Sequence, residues 1–183
     1  IVDANVGGSI TVVADANLGA DAASGGHGGV LIEAAGQLRA EGDVSVSGSS
    51  LFSPLGTGET VVVQANGADP QVLAIGSISL SQSSNAPSGT PVVIEGVLQT
   101  TGINSTVTVD SHGDVHLRHS AKILSKDGKV KIGADIELDA DGGAFVMSDL
   151  AKIVTSSGAI QIAADGDITL GSLQTESTVE LWS

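Results

Sequence analysis

Oxygen-rich turns are the part of this chain best suited to chemistry. Two of them read "DADGG" at 139–143 and "DGD" at 165–167, and closely spaced carboxylates are the ligands that Ca²⁺ prefers. The first turn begins like an EF-hand loop, but Gly143 occupies the third ligand position and Leu150 replaces the bidentate glutamate. Capping of tight turns by aspartate is the simpler role, and we favour it. The candidate calcium ligands are Asp139, Asp141, Asp165 and Asp167.

A histidine cluster lies in "SHGDVHLRHS" at 111–120, which contains His112, His116 and His119. The alternation of a β-strand places Asp114 and His116 on one outer face, whereas His119 would face the other way. His-x-x-His on a strand is therefore poor metal-ligand geometry, and we expect surface histidines. No nucleophile elbow precedes or follows them, so no Ser-His-Asp triad is predicted.

The composition excludes several classes of partner. The net charge of −14 over 183 residues repels phosphate backbones and anionic lipids, so we expect no nucleic acid. No apolar run approaches the roughly 20 residues of a membrane-spanning helix, so we expect no membrane insertion. Cysteine is absent and aromatic residues are only 2%. Stability must then come from aliphatic burial and backbone hydrogen bonds rather than from disulfides.

A repeat must position these side chains. Apolar residues alternate in short units separated by Gly, Asp, Asn or Ser, which indicates β-strands and almost no helix. Similar units begin at Val30, Val61 and Val92, and further steps of 31 and 30 residues reach Ile123 and Ile153. A fixed period of this size is typical of a solenoid, in which stacked coils bury ladders of like residues.

Other repeated features support the same interpretation. "AKI" opens similar segments at 121–123 and 151–153, and "ITVVADANL" at 10–18 matches "VLIEAAGQL" at 30–38 with an offset of 20. A Gly-Asp turn before a strand recurs at 42–43, 113–114 and 166–167, where the aspartate is expected to accept local backbone N–H bonds. Two insertions, Ser47–Glu59 and Ser81–Pro91, are predicted lateral loops that a partner would contact.

The predicted fold is therefore all-β: a parallel β-helix of about five to six coils of roughly 20–31 residues. It spans residues 1–183 as a single segment with the shorter coil at the start, and we expect it to be part of a longer repetitive protein. Antiparallel sandwiches of the cadherin-like adhesin type are the alternative.

The strings "GQLRAEGDVSV" at 36–46 and "GAIQIAADGDITLGSL" at 158–173 resemble the coils of filamentous-haemagglutinin-type giant bacterial surface adhesins. The resemblance covers nearly the whole chain. It implies a right-handed parallel β-helix, secretion to the bacterial cell surface, and a role in attachment or as a rod. The repeats of these haemagglutinins are about 20 residues long, whereas most offsets between similar units in this chain are near 30 residues.

The predicted function is an extracellular structural and adhesive rod rather than an enzyme. Its expected partners are neighbouring coils or copies of the same chain, which could form a filament, and glycans or proteins of a host or partner cell. A carbohydrate-active β-helix enzyme or a carbohydrate-binding module is the alternative, since polysaccharide enzymes also use this fold. Such sites need Asp with Arg or Lys in a groove. Lys129 and Lys131 should point outward beside Asp127, but a solvated face is the simpler account.

Overall fold

Twenty short strands make up the described part of the chain. The computed structural model describes residues 1–13, 30–33, 36–48, 61–64, 70–82, 91–135 and 142–183. Within these ranges the strands form three parallel sheets, of seven, seven and six strands, and no helix is present.

Each sheet is built from every third strand of the chain. Sheet 1 contains β1 (Val2–Ala4), β4 (Leu38–Ala40), β7 (Val72–Ala74), β10 (Val97–Thr100), β13 (Lys122–Ser125), β16 (Lys152–Thr155) and β19 (Ser172–Gln174). Sheet 2 contains β2 (Ile10–Val13), β5 (Val44–Gly48), β8 (Ile78–Gln82), β11 (Val107–Ser111), β14 (Val130–Ala134), β17 (Ile160–Ala164) and β20 (Val179–Trp182). Sheet 3 contains β3 (Val30–Ile32), β6 (Val61–Val63), β9 (Val92–Ile94), β12 (Val115–Leu117), β15 (Phe145–Met147) and β18 (Ile168–Thr169).

The chain visits the three sheets in a fixed order, and each strand pairs in parallel with the strand three places on. We call each visit to sheets 1, 2 and 3 a coil, so that coil 1 is β1–β3 and coil 6 is β16–β18. Corner 1–2 and corner 2–3 denote the segments that connect the named sheets. This is the topology of a β-solenoid. The antiparallel sandwich is wrong, because every strand pairing in the described ranges is parallel.

Side chains alternate between the interior and solvent along most strands. The interior of sheet 1 is a ladder of Leu38, Val72, Leu98, Ile123, Ile153 and Leu173. Among the described residues, Phe145 is the largest fully buried side chain. Burial of each such aliphatic or aromatic residue contributes about 1.5–3 kcal/mol, and parallel stacking lets every coil contribute at the same positions.

The predicted coil period is right in some places and wrong in others. Val30, Val61 and Val92 occupy one ladder of sheet 3, as predicted, and Ile123 pairs with Ile153. The predicted step from Val92 to Ile123 is wrong, because Val92 pairs with Val115, only 23 residues on. Coil 4 carries no insertion at corner 2–3, so its period is shorter.

Two further details of the prediction are also corrected. Ile10 belongs to sheet 2 and Val30 to sheet 3, so the 20-residue offset relates strands of one coil rather than two coils. The shorter steps come late in the chain rather than at the start, since Ile10 pairs with Val44 but Ile160 with Val179. Because all three sheets use the same apolar alternation, matching units need not belong to the same sheet.

Candidate functional site

Corner 2–3 contains the candidate calcium ligands. Asp139 and Asp141 lie outside the described residues, in the segment that connects β14 to β15. Asp165 and Asp167 connect β17 to β18 with both side chains exposed. No cluster of three or more metal-ligating residues occurs in the described ranges. The calcium site therefore stays a prediction, which a calcium titration of thermal stability would test.

Two of the three Gly-Asp turns confirm a capping role for aspartate, but between coils rather than within one turn. The Asp43 carboxylate accepts a hydrogen bond from the Ser77 backbone N–H at 2.7 Å. The Asp114 carboxylate accepts one from the Ala144 N–H at 2.8 Å. Asp43 stands at corner 1–2, whereas Asp114 stands at corner 2–3. The same signature thus serves two different corners of the coil.

Asp114 and His116 share the outer face of sheet 3, as predicted, but β12 ends before His119, so strand alternation does not place that side chain. His116 Nε2 lies 3.3 Å from Asp114 Oδ2, and Arg118 Nη2 lies 3.3 Å from His116 Nδ1, all on the outer face of sheet 3. His119 follows the end of β12 in a left-handed conformation with φ of 55°, where its side chain approaches Glu95 at 3.8 Å. This arrangement is a surface chain of polar contacts, because the histidines do not converge on one point.

A groove on the outer face of sheet 2 brings together residues that are far apart in sequence. Strand register aligns Asp110, Gly133, Ala163 and Trp182 in one row across β11, β14, β17 and β20. The groove has a volume of about 180 Å³ and is also lined by Lys131 and Gln161. Its floor is low because Gly133 and Ala163 carry almost no side chain.

The two sides of the groove differ in chemistry. Trp182 is 51% exposed, so its indole offers an apolar surface. Burial raises the pKa of the Asp110 carboxyl, and the nearby positive charges of Lys131 and His112 partly oppose this. Gln161 Nε2 donates a hydrogen bond to Glu180 Oε2 at 2.7 Å. The groove therefore combines a carboxyl group, an amine, a carboxamide and an aromatic face.

A larger polar pocket adjoins this groove at corner 1–2. Its volume is about 570 Å³, and Lys131 lines both. Lys129, Ser157, Ser177 and the backbone of Gly128 also contribute to its walls. The prediction that Lys129 and Lys131 lie outside is confirmed, since both are exposed.

Sequence reasoning missed Asp110, Gln161 and Trp182 as neighbours. A signal was present: Trp182 is the single tryptophan, and its position next to Leu181 on an alternating strand places it outside. The register that aligns it with Asp110 is set by the lengths of three successive coils, and no local pattern gives those lengths.

Comparison with known proteins finds no matching family model, no matching curated relative and no matching solved structure. Within the described ranges no helix has the length and apolarity needed to cross a bilayer.

Proposed function

We propose that this chain is a rod segment of a large bacterial surface protein, in which stacked coils form a right-handed parallel β-helix that mediates attachment. The handedness follows the preference of parallel crossover connections. The role is structural and extracellular, without catalysis. Neighbouring coils or copies of the chain extend the rod, and glycans or proteins on another cell are its targets.

The two ends of the coil stack carry this proposal. Val179 and Leu181 continue the inward ladders of sheet 2, yet they are 44% and 43% exposed. At the other end, Val2 is exposed beside an apolar cavity of about 400 Å³. The inward spacing of β20 repeats that of β2, so one end can pair with the other in parallel register. Head-to-tail contacts stacked along one axis do not close on themselves and therefore generate an open filament.

The predicted loops support a role in attachment. Both predicted loops begin too early, because Ser47 and Gly48 end β5, and Ser81 and Gln82 end β8. The remaining residues of each insertion connect β5 to β6 and β8 to β9, so both insertions leave consecutive coils at corner 2–3. Apart from Ser47, Gly48, Ser81, Gln82 and Pro91, their residues lie outside the described ranges. A rod that carries its insertions at one corner presents them together along one side.

Two copies of the chain test the rod when they are joined in series by a flexible linker long enough to cross sheet 3, because β20 ends in sheet 2 and β1 begins in sheet 1. We expect one particle with twice the length by electron microscopy, at about 4.8 Å per coil, and a single cooperative unfolding transition with a higher midpoint. Two independent globules joined by a hinge would overturn the proposal.

An end-blocking variant provides the matched control. Leu181→Lys places a charge in the inward ladder at the exposed end and should prevent pairing of the two copies. Val146→Lys adds the same charge at a 37% exposed outer position of sheet 3 and should leave the doubled rod intact. Equal effects of the two variants would show that the ends do not pair.

The attachment role needs its own test. Replacing 49–60 with the tripeptide His-Gly-Asp, which turns the same corner in coil 4, should leave the fold stable because loop closure depends weakly on length. Binding of the soluble chain to cells should fall. Unchanged cell binding would exclude this insertion from attachment.

A further inference from the structure

We propose that the groove between Asp110 and Trp182 binds one ring of an uncharged hexose glycan. This inference deepens the attachment role proposed above by naming the chemistry of its partner, and it rests on that role for its biological meaning. The binding itself depends only on the outer face of sheet 2.

The indole of Trp182 supplies the stacking surface. Trp182 pairs in register with Ala163, and Gly133 is the next residue in that row. No bulky side chain in the row therefore separates Trp182 from the rest of the groove. The apolar C–H face of a pyranose ring packs against an aromatic ring, which offers a large rigid surface and a polar edge. A chain with a single tryptophan thus presents it beside a cavity.

The polar side chains around the groove match sugar hydroxyls. Asp110 stands three strands from Trp182, about 14 Å along the stack, and its carboxyl oxygens accept hydrogen bonds. Lys131 and Gln161 lie between them and add N–H donors. Hydroxyl groups both donate and accept, so the hydroxyls of a bound sugar can pair with side chains of this set.

The geometry disfavours other ligands. The backbone of β14 and β17 is already paired on both sides, so an extended peptide cannot join the sheet here. The volume of about 180 Å³ lies below the range of about 300–1,000 Å³ for drug-sized ligands. Asp110 and Glu180 place negative charge at the groove, which together with the net charge of −14 disfavours acidic sugars.

Rod formation leaves the groove open. Its lining belongs to β11, β14, β17 and β20, and a strand added beyond β20 would extend sheet 2 in its own plane. The outer face would remain exposed, and a rod built of several copies would carry several grooves. Weak individual sites then act together through multivalency.

The intact chain should first be screened on a glycan array and then titrated in solution with the best soluble oligosaccharide. Since Trp182 is the sole tryptophan, its fluorescence should change saturably with the neutral ligand. Trp182→Ala should weaken binding by about tenfold or more on the array and by calorimetry, whereas Trp182→Phe should retain most of it. Asp110→Asn and Gln161→Ala should each weaken binding by about fivefold.

Three results would overturn the inference. They are the absence of any bound glycan, binding confined to sulfated or sialylated glycans, and binding that Trp182→Ala leaves unchanged. His116→Ala on the outer face of sheet 3 is the matched control and should bind like the natural chain. Doubled rods of the natural chain, viewed by electron microscopy and titrated with glycan, separate the two proposals. Rods that bind no glycan would contradict the groove alone, and glycan binding without rods would contradict the rod alone.

Discussion

Corner 1–2 is closed in two different ways in the two halves of the molecule. In coils 1–3 the last inward residue of the sheet 1 strand is alanine, and in the later coils it carries a hydroxyl. The alanines are Ala4, Ala40 and Ala74, and the hydroxyl residues in the same ladder are Thr100, Ser125 and Thr155. Thr175, directly after β19, likewise carries a hydroxyl. As a result, the side-chain hydrogen bonds of this corner are exposed in the first half and buried in the second.

In the first half, the residue before the sheet 2 strand connects the coils. Ser9 Oγ accepts from the Asp43 N–H at 3.0 Å, and the Asp43 carboxylate accepts from Ser77; both hydrogen bonds are exposed. In the second half, Thr155 Oγ1 accepts from the Gly158 N–H at 3.1 Å and donates to the Gly128 carbonyl oxygen at 2.9 Å, and both bonds are buried. Buried hydrogen bonds are costlier to lose, so we expect the second half to be the less tolerant.

Glycine substitution at this corner should have the largest effect. A Cβ at Gly128 would overlap the Ser105 carbonyl oxygen, which is backbone and cannot rotate away. We expect Gly128→Ala to cost more than about 3 kcal/mol or to prevent folding. At Gly42 the nearest obstacle is the Ser9 hydroxyl, with the Gly7 oxygen at 2.9 Å. Gly42→Ala should therefore cost about 1–3 kcal/mol.

Urea unfolding followed by circular dichroism measures both glycine variants. If Gly42→Ala is as damaging as Gly128→Ala, the two corners are equally rigid and the comparison fails.

Loss of one buried hydroxyl should have the next largest effect. Thr155→Val keeps the shape but leaves the Gly158 N–H and the Gly128 carbonyl without this partner, at a cost of about 1–3 kcal/mol. Thr169→Val, at an exposed position of β18, is the matched control and should be nearly neutral. A Thr155→Val chain as stable as its control would mean that the interior hydroxyl ladder contributes little.

The exposed cap in the first half should matter less. Asp43→Ala removes the acceptor of the Ser77 N–H and should cost about 0.5–1 kcal/mol, whereas Asp43→Asn keeps an acceptor oxygen and should cost less. The free energy of unfolding in urea again gives the answer. A loss at Asp43 larger than that at Thr155 would reverse the order of the two halves.

The strand pairings show which parts of the fold the sequence could predict. Strand alternation gave the all-β class and the pairing of Lys122 with Lys152, because that pattern is local and the coils involved have equal length. It did not give the pairing of Val92 with Val115. Strands of all three sheets have the same apolar spacing, so the sheet to which a strand belongs depends on corner lengths.

The candidate site was harder to predict than the fold. Lys131 was recognised as an outward cation, but Asp110 and Trp182 are 72 residues apart in the sequence. They share a row only because three successive registers place them there. The Gly-Asp turns were recognised as caps, yet their partners lie in the next coil, and a reading of local turns cannot supply those partners.

The smallest expected effect concerns Asp110, which occupies a ladder position in coil 4 where coil 3 has Ser81. Burial raises the pKa of this carboxyl above its ordinary value of 3.8, against the opposing charges of Lys131 and His112. The folded chain therefore keeps a proton that the unfolded chain has released, and stability falls as the pH rises through the interval above 3.8.

Asp110→Asn should remove this fall in stability. Its melting temperature should be slightly higher than that of the natural chain at neutral pH and equal to it near pH 3, where both states are protonated. Asp110→Ser, which restores the residue type of coil 3, should behave in the same way, because the effect depends on the carboxyl and not on the amide. A natural chain that is more stable than both variants at neutral pH would show that Lys131 and His112 outweigh the burial of Asp110, and coil 4 would then gain stability from the charge that coil 3 lacks.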